Sequence, residues 1–344
     1  MGLHTIDPLS DIRWSAFVAA HSKATVFHHP RWLSSLADTY GYQPLALTST
    51  GPNAPLSDGI VFCKVRSRIT GNRLVSLPFA DHCELLVNDQ SNSPEFTEWM
   101  RSETEKENWR YVEVRPISWS PDANSQLTSG NSYWYHTLEL TSPIEQIFRS
   151  LHKDSLQRRI RHAERERLSY VAGRSEELLS DFYRLLLITK RRHHLPPQPR
   201  AWFRNLISKM GDYLQIHVAR KDSRPIAALL TLRHRNMAVY KYGCSDERFH
   251  HLAGIPFLFW RFIEESKTGG AEQIDFGRSD LDQEGLINFK DHFGTTRRMI
   301  TYWRYSRVEF RLPHEGWSVA RRLFSVLPDA LSPITGSIVY RHLG

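Results

Sequence analysis

The residues best suited to chemistry lie near the C-terminal end of the chain. Asp275, Gly277 and Arg278 follow an apolar stretch, and Lys290 lies among aromatic residues in the segment Gly285–Gly294. Polar groups at the end of a strand often build a site on an α/β scaffold. We therefore predict a site here. The alternative is a strand end, a turn and a capped helix, with Arg278 and Lys290 as solvated charges.

The elements that must position these residues follow a regular order in the second half of the chain. Periodicity predicts β-αα-βββ-α-β-α-β. The ranges are Leu168–Ala172, Glu176–Arg191, Pro199–Met210, Tyr213–Arg220, Pro225–His234, Met237–Gly243, Pro256–Lys267, Glu272–Phe276, Glu284–His292 and Arg298–Tyr305. The first half is a looser copy of this order, with its last strand at Trp134–Leu140. An internal duplication is therefore expected.

Composition bounds the class of protein. The chain has 344 residues, 40% of them hydrophobic, and a net charge of +8. It is long enough for two domains or one large one. A basic chain favours an anionic partner such as nucleic acid, a phosphorylated substrate or a membrane surface, although a basic surface without a specific ligand is the alternative. We find no run of about 18 apolar residues and no signal-peptide pattern, so we expect neither a membrane span nor a leader.

The three cysteines are predicted to be buried thiols. Cys63, Cys83 and Cys244 are odd in number and form no C-x-x-C motif, so a disulfide framework is not expected. His82 and Cys83 are adjacent, and adjacent residues of a strand point to opposite faces. We therefore expect neither a thiol nucleophile nor a metal site there.

Six segments together resemble the FemAB-type proteins, which are peptidoglycan-bridge aminoacyltransferase relatives with two tandem GNAT-like domains. The subgroup most similar is the FemAB-like or BioF2-like acyltransferases associated with exopolysaccharide and exosortase loci. The segments are Phe27–Trp32, Ser76–Asp81, Ser155–Arg165, Thr189–His193, Asp275–Arg278 and Gly285–Gly294. The resemblance covers nearly the whole chain. It implies an α/β fold of mixed sheets flanked by helices, in which Met237–Gly243 and Glu272–Phe276 splay apart to open a cleft.

The resemblance also implies a reaction and a role for Lys290. The reaction is acyl or aminoacyl transfer to an amine or hydroxyl group of a cell-envelope precursor. Lys290 matches the lysine that lies in the acyl-transfer cleft of the relatives. An ammonium group there can stabilise the oxyanion formed when the acceptor attacks a thioester or an ester. Alternatively, Lys290 binds only a phosphate or a helix end.

The segment that precedes the helix at Pro256 does not determine which acyl donor is used. CoA enzymes of this fold place backbone N–H groups on the pyrophosphate through a glycine-rich loop. In this chain only Ala253 and Gly254 match that loop, and Pro256 removes one donor. We expect Ala253 and Gly254 to contact the donor, which is acyl-CoA, an acyl carrier or aminoacyl-tRNA. No tightly bound cofactor is expected.

Two basic clusters are candidates for acceptor phosphate. Arg158 and Arg161 lie in a helix rich in arginine, and Lys190 lies at the end of another helix. Arginine forks suit phosphate or carboxylate. The alternatives are a solvated helix face for the arginines and ordinary cation enrichment at a helix C-terminus for Lys190.

The general base is left open between two carboxylates. Asp275 is predicted at a strand end facing the cleft, and Asp81 at a comparable place in the first domain. Either can accept the proton of the acceptor, directly or through water. Tyr242 is predicted to contact substrate, with core packing as the alternative.

These observations combine into one prediction. Residues 1–142 form a first GNAT-like domain, 143–310 a second, catalytic one, and 311–344 a C-terminal helical extension with an amphipathic helix at Ser318–Leu327. The protein transfers an acyl or aminoacyl group to a phosphorylated or lipid-linked saccharide. It acts in the cytoplasm, with peripheral association at the inner face of the membrane. The alternative is a non-catalytic module that binds nucleic acid or anionic glycan, or a scaffold of an envelope-polymer assembly.

Overall fold

The structure is a computed structural model and describes residues 2–87, 93–307, 336 and 339–342. The chain divides into two compact units. Unit 1 comprises residues 1–132, 300–316 and 334–344, and unit 2 comprises residues 133–299 and 317–333. The sequence-based domain limits at 142 and 310 stay predictions, and the helix predicted at Ser318–Leu327 lies outside the described residues.

Unit 1 contains a mixed sheet and flanking helices. Its elements are β1 (His4–Ile6), α1 (Ile12–Ala20), α2 (Pro30–Tyr40), β2 (Gln43–Thr48), β3 (Ile60–Val65), β4 (Arg73–Val75), α3 (Ser93–Glu107) and β5 (Tyr111–Val114). Two longer strands, β6 (Thr128–Glu139) and β12 (Thr296–Tyr305), are divided by the unit boundary. The strand order is β1-β2-β3-β4-β5-β12, and only the β4–β5 pair is parallel.

Unit 2 repeats this plan. Its elements are α4 (Ile144–Ser150), α5 (Arg158–Arg165) after a π-turn at Lys153–Gln157, β7 (Ser169–Gly173), α6 (Glu176–Arg192), α7 (Arg200–Met210), β8 (Leu214–Lys221), β9 (Arg224–His234), β10 (Met237–Ser245), α8 (Gly254–Thr268), β11 (Gln273–Asp280) and α9 (Glu284–Asp291). The strand order is β6-β11-β10-β9-β8-β7, and only the β10–β11 pair is parallel.

The element order β-α-α-β-β-β-α-β occurs once in each unit, from β1 to β5 and from β7 to β11. This confirms the duplication expected from the sequence and the predicted fold class. The short strand β1 was not predicted, because three residues carry too little alternation to stand out. It is the counterpart of β7.

Each unit has its own hydrophobic core. In unit 2, α8 packs Phe257, Leu258 and Ile263 against the apolar faces of the central strands, and α5 adds Ile160 and Ala163. The spacing of Ile160 and Ala163 therefore turns the arginines of α5 away from the core, as predicted. In unit 1, α3 packs Phe96 and Met100 against β3 and β5. No helix in the described ranges is long and apolar enough to cross a membrane.

Two predicted strand limits were wrong. The strand predicted at Trp134–Leu140 begins at Thr128, since polar residues alternate along its exposed first half. The strand predicted to end at Phe276 continues to Asp280. Gly277 adopts φ +71° within it, a conformation that few other residues tolerate. The sequence therefore suggested a turn where the strand has a bulge.

Candidate acyl-transfer site of unit 2

The parallel strands β10 and β11 diverge after a short paired region. They match at Met237↔Gln273, Ala238↔Ile274 and Val239↔Asp275. At that point both strands shift register against their other neighbours, β10 between Tyr240 and Tyr242 and β11 between Asp275 and Arg278. Bulges bend and twist a strand locally. The two strands therefore separate beyond Val239 and Asp275, as the FemAB resemblance implied.

Asp275 lies where the two strands separate. Its side chain is fully buried, and its Oδ1 accepts a 2.6 Å hydrogen bond from the backbone N–H of Gly277. This bond spans the bulge from Asp275 to Gly277 and holds the carboxylate in place. The sequence placed Asp275 at the end of a strand. That position was wrong, because the strand continues past it, but the residue does lie at the base of the cleft.

Lys290 lies beneath the same bulge. It projects from α9, is only 2% exposed, and its Nζ donates hydrogen bonds to the carbonyl oxygens of Gly277 (3.1 Å) and Arg278 (2.8 Å). A register shift frees carbonyl groups from the sheet ladder, and the ammonium group satisfies them. The structure thus brings Asp275, Gly277 and Lys290 together around one turn of backbone.

His136 is a member of this cluster that the sequence did not reveal. Its Nδ1 lies 3.4 Å from both Thr295 Oγ1 and Asp291 Oδ1, and its Nε2 is buried without a hydrogen-bond partner among the described residues. Burial lowers the pKa of His136 to about 4, and the nearby Lys290 ammonium contributes. His136 is therefore neutral near pH 7. The only signal in the sequence was one histidine inside an otherwise apolar strand.

Two tyrosines of β10 lie among aromatic side chains. Tyr240 packs against Phe259 of α8, with ring centroids 4.7 Å apart. Tyr242 points the other way, where its hydroxyl accepts a 3.0 Å hydrogen bond from Trp202 Nε1 and its ring meets Phe203. Opposite directions two residues apart follow from the bulge between them. Tyr242 is half-buried, so the packing that was weighed as an alternative accounts for part of its surroundings.

The beginning of α8 lies beside two arginines. Ala253 caps the helix in the left-handed conformation, at φ +57°, and Gly254 is its first residue. A Cβ atom at Gly254 would lie 3.0 Å from Ala227 Cβ, so the glycine lets α8 approach β9. In the preceding turn, Arg159 donates to the carbonyl oxygen of His250 (3.1 Å) and Arg192 lies 3.2 Å from its Nε2.

These two arginines bring positive charge to the turn before α8. Burial lowers the pKa of His250, and Arg192 and Arg159 lower it further. Within the described residues, neither arginine has a carboxylate partner. The sequence singled out Arg158 and Arg161 instead. Arg158 pairs with Asp154 at 3.1 Å, and Arg161 lies over the ring of Phe148.

Lys190 and Arg278 lie in different surroundings. Lys190 ends α6 near Cys244 of β10, and burial lowers its pKa to about 8. In the part of the chain that the structure describes, its ammonium group has no hydrogen-bond or ion-pair partner. The guanidinium of Arg278 lies 3.9 Å from the ring centre of Tyr133. Arg278 is thus held against an aromatic face, and Lys190 is a half-buried ammonium group.

Asp81 belongs to unit 1, where the equivalent strand pair stays closed. After β4 the chain remains bonded to the β5 side, through Ser76 N to Glu113 O (3.0 Å) and Cys83 N to Arg115 O (2.7 Å). The backbone oxygen of Asp81 accepts a hydrogen bond from Tyr302. The β4–β5 pair therefore does not open as β10 and β11 do.

The cysteines of the described residues are free and buried, as predicted. Cys83 does not pair with its neighbour His82. Instead its Sγ lies 3.4 Å from Nε2 of His28, which comes from a distant part of the chain. Burial raises the pKa of the Cys83 thiol, which is therefore protonated and a poor nucleophile.

Comparisons with known proteins agree with this architecture. The family model of the acetyltransferase (GNAT) domain matches residues 150–291. FemX is 13% identical, with 93% of this chain and 100% of that chain covered at a TM-score of 0.66. The C-terminal domain of a putative lysylphosphatidylglycerol synthetase from Agrobacterium fabrum is 12% identical (91% and 93% covered, TM-score 0.56).

A tandem GNAT protein from the clavulanic acid biosynthesis pathway is 10% identical, with 90% of this chain and 100% of that chain covered at a TM-score of 0.52. No curated protein matches the sequence. Identities this low establish the fold. The chain therefore has the tandem GNAT fold seen in FemX, as the FemAB resemblance implied, and residues 150–291 of its second unit match the acetyltransferase (GNAT) domain model.

Proposed function

We propose that this protein is an acyltransferase that transfers an acyl or aminoacyl group to an amine or hydroxyl group of a cell-envelope or exopolysaccharide precursor. The observation that carries the proposal is the cleft between β10 and β11, with Asp275 and Lys290 at its base. An opening between parallel strands gives a donor carbonyl access to backbone groups that a closed sheet would occupy. Unit 2 is the catalytic unit in this proposal.

The reaction needs a stabilised oxyanion and a proton acceptor. The acceptor nitrogen or oxygen attacks the donor carbonyl carbon, and the carbonyl oxygen becomes the oxyanion of a tetrahedral intermediate. Lys290 stabilises this charge through the buried ammonium group that also holds the bulge. The intermediate then expels the thiol or the ribose hydroxyl of the donor, and the leaving group takes up a proton.

The proton released by the acceptor needs a base, for which Asp275 and Asp81 are both proposed. Asp275 is supported by its position where the strands diverge, although its carboxylate already accepts one hydrogen bond from Gly277. His136 is neutral near pH 7 and so adds no positive charge of its own beside Lys290. Positioning of the acceptor also contributes to the rate enhancement in such reactions.

The donor binds at the start of α8. The backbone around Ala253 and Gly254 meets its phosphates, and Arg159 and Arg192 supply the positive charge. Pro256 lacks an N–H group, so the arginines offset one lost donor. The donor is acyl-CoA, an acyl carrier or aminoacyl-tRNA, and none of these is retained as a tightly bound cofactor.

The acceptor is a phosphorylated or lipid-linked saccharide. Lys190 supports this assignment, since a desolvated ammonium group without an anion partner gains an ion pair when phosphate arrives. We assign Arg158, Arg161, Arg278 and Tyr242 to the same acceptor. The putative lysylphosphatidylglycerol synthetase of the same fold supports an envelope component. The protein would then work in the cytoplasm, at the inner face of the membrane.

A thermal-shift titration with CoA, acetyl-CoA and a long-chain acyl-CoA tests the donor. Saturable stabilisation is the expected result, because a ligand that binds only the native state raises its stability. Acyl-chain preference would then direct assays with candidate acceptors. The absence of any shift, followed by the absence of binding to aminoacyl-tRNA or acyl carrier protein, would contradict the proposal.

A second candidate is non-catalytic binding of nucleic acid or anionic glycan. It is favoured by Arg159 and Arg192, which lack carboxylate partners in the described ranges. This function requires binding of RNA or glycan that weakens steeply as salt increases, without donor binding. Affinity that is flat across salt concentration would exclude it.

A further inference from the structure

A cationic cavity lies in unit 1. Its volume is about 740 Å³. It forms where the β3–β4 turn, the residues that enter β5 and the chain just after β12 come together. Arg68, Arg110 and Arg307 line it, with Asn72 and Asn108.

The turn before β4 holds Arg110 in place. Its Nη1 donates to the carbonyl oxygen of Thr70 (2.9 Å), and its backbone N–H donates to that of Asn72 (2.8 Å). Gly71 adopts φ +83°, and a Cβ atom there would lie 3.0 Å from Arg110 Cδ. Glycine at this position therefore lets the arginine side chain lie flat on the turn, and the guanidinium is oriented before any ligand arrives.

The side chains of the cavity lining are mainly hydrogen-bond donors. No carboxylate is among the described residues that line it. Within the described ranges, Arg68 and Arg307 have no ion-pair or hydrogen-bond partner for their side chains. The Oδ1 atom of Asn72 accepts from Ser67 N at 3.2 Å, so its amide group is left as a donor. Guanidinium and amide donors without nearby acids select oxyanions.

We propose that this cavity is a binding site for a phosphate ester, separate from the acyl-transfer cleft. Arg68 and Arg307 bind the phosphate oxygens from opposite sides, and Arg110 provides the fixed third cation. Phosphate accepts paired N–H donors from a guanidinium in a planar fork. The volume admits a phosphorylated sugar or the headgroup of an anionic lipid. Both sources present the same phosphate chemistry.

Calorimetric titration of the full-length protein with inorganic pyrophosphate tests the site. The start of α8 is a second cationic region, so the titration is carried out in an Arg159→Gln/Arg192→Gln background. Adding Arg68→Gln/Arg307→Gln should weaken binding by about tenfold or more. The matched control is Arg101→Gln/Arg174→Gln, which removes two arginines that already pair with carboxylates. Equal affinity in the two variants would overturn the proposal, as would no binding in the background itself.

Two further arms separate the sources of phosphate. Glucose 1-phosphate represents a soluble saccharide phosphate, and phosphatidylcholine vesicles with or without phosphatidylglycerol represent a lipid surface. Binding to either ligand that depends on Arg68 and Arg307 supports the site and names its source. If glucose 1-phosphate and the phosphatidylglycerol vesicles both bind, and Arg68→Gln/Arg307→Gln changes neither affinity, the proposal is overturned. These outcomes do not depend on acyl transfer, so failure here leaves the proposed reaction untouched.

Discussion

The ammonium group of Lys290 donates a 2.8 Å hydrogen bond to the carbonyl oxygen of Arg278, the residue that follows the bulge glycine of β11. Lys290 is 2% exposed and bonded to strand carbonyl groups. It therefore supports the shape of the strand and also supplies a positive charge. These bonds therefore hold the positive charge in one position at the base of the cleft. This arrangement motivates the first test.

Replacing Lys290 by methionine keeps the length of the side chain and removes its charge. We expect turnover to fall by about 10²-fold or more, because the oxyanion loses its stabilising cation. Acyl-donor binding, measured by thermal shift, should persist. The matched control is Lys267→Met, since Lys267 Nζ also donates to a backbone carbonyl, that of Leu140, at 2.7 Å. Near-normal turnover in Lys290→Met would contradict the assigned role.

Asp275→Asn separates hydrogen bonding from charge. The asparagine Oδ1 can still accept from Gly277 N, so the bulge should survive. If Asp275 accepts the acceptor's proton, turnover falls by about 10²-fold or more. Unchanged turnover would exclude Asp275 as the base and favour Asp81.

The arginines near α8 should govern donor affinity. We expect Arg159→Gln/Arg192→Gln to raise the dissociation constant for CoA by about tenfold or more, since each guanidinium provides a charge-assisted bond to phosphate. Arg174→Gln removes an arginine that pairs with Asp212 and serves as control. Titration calorimetry at several salt concentrations measures the effect. Loss of affinity in the control alone would contradict the site.

Lys190 should titrate well below an ordinary lysine. Its pKa is lowered to about 8 by burial, so the amine loses its proton as the pH rises through that value. NMR of lysine labelled at Cε, with Lys190→Met for assignment, gives the midpoint directly. Addition of the acceptor phosphate should raise it, because an anion stabilises the charged form. A midpoint near 10.4, the usual pKa of lysine, would contradict the desolvated surroundings.

The buried His217 should make the free energy of unfolding depend on pH. It is buried between Tyr170 (2.6 Å) and Thr231 (2.8 Å), and burial lowers its pKa to about 3. Between about pH 6.5 and pH 3 the unfolded chain binds a proton that the folded chain does not. The free energy of unfolding should therefore fall as the pH falls through this window, by about 1.4 kcal/mol per pH unit. Urea unfolding of the native protein and of His217→Gln measures it, and the variant should show a shallower slope.

Most elements and their order could be predicted from local patterns. Alternation and helical periodicity are local properties, so the β-α-α-β-β-β-α-β plan was predicted for the second half of the chain, whereas β1 of the first half was too short to stand out. The divergence of β10 and β11 was implied by the FemAB resemblance. The cluster of Asp275, Arg278 and Lys290 could also be recognised, because its members lie close together along the chain.

Which distant residues join them depends on the tertiary structure. His136 lies close enough to Lys290 for its pKa to be lowered by that charge because β6 pairs with β11 in a particular register. Arg159 reaches His250 because α5 packs near the turn before α8. Strand register and helix packing depend on side chains far apart in sequence, which local patterns do not record. The bulge at Gly277 is of the same kind, since a glycine within a strand and a glycine in a turn look alike until the neighbouring strand is in place.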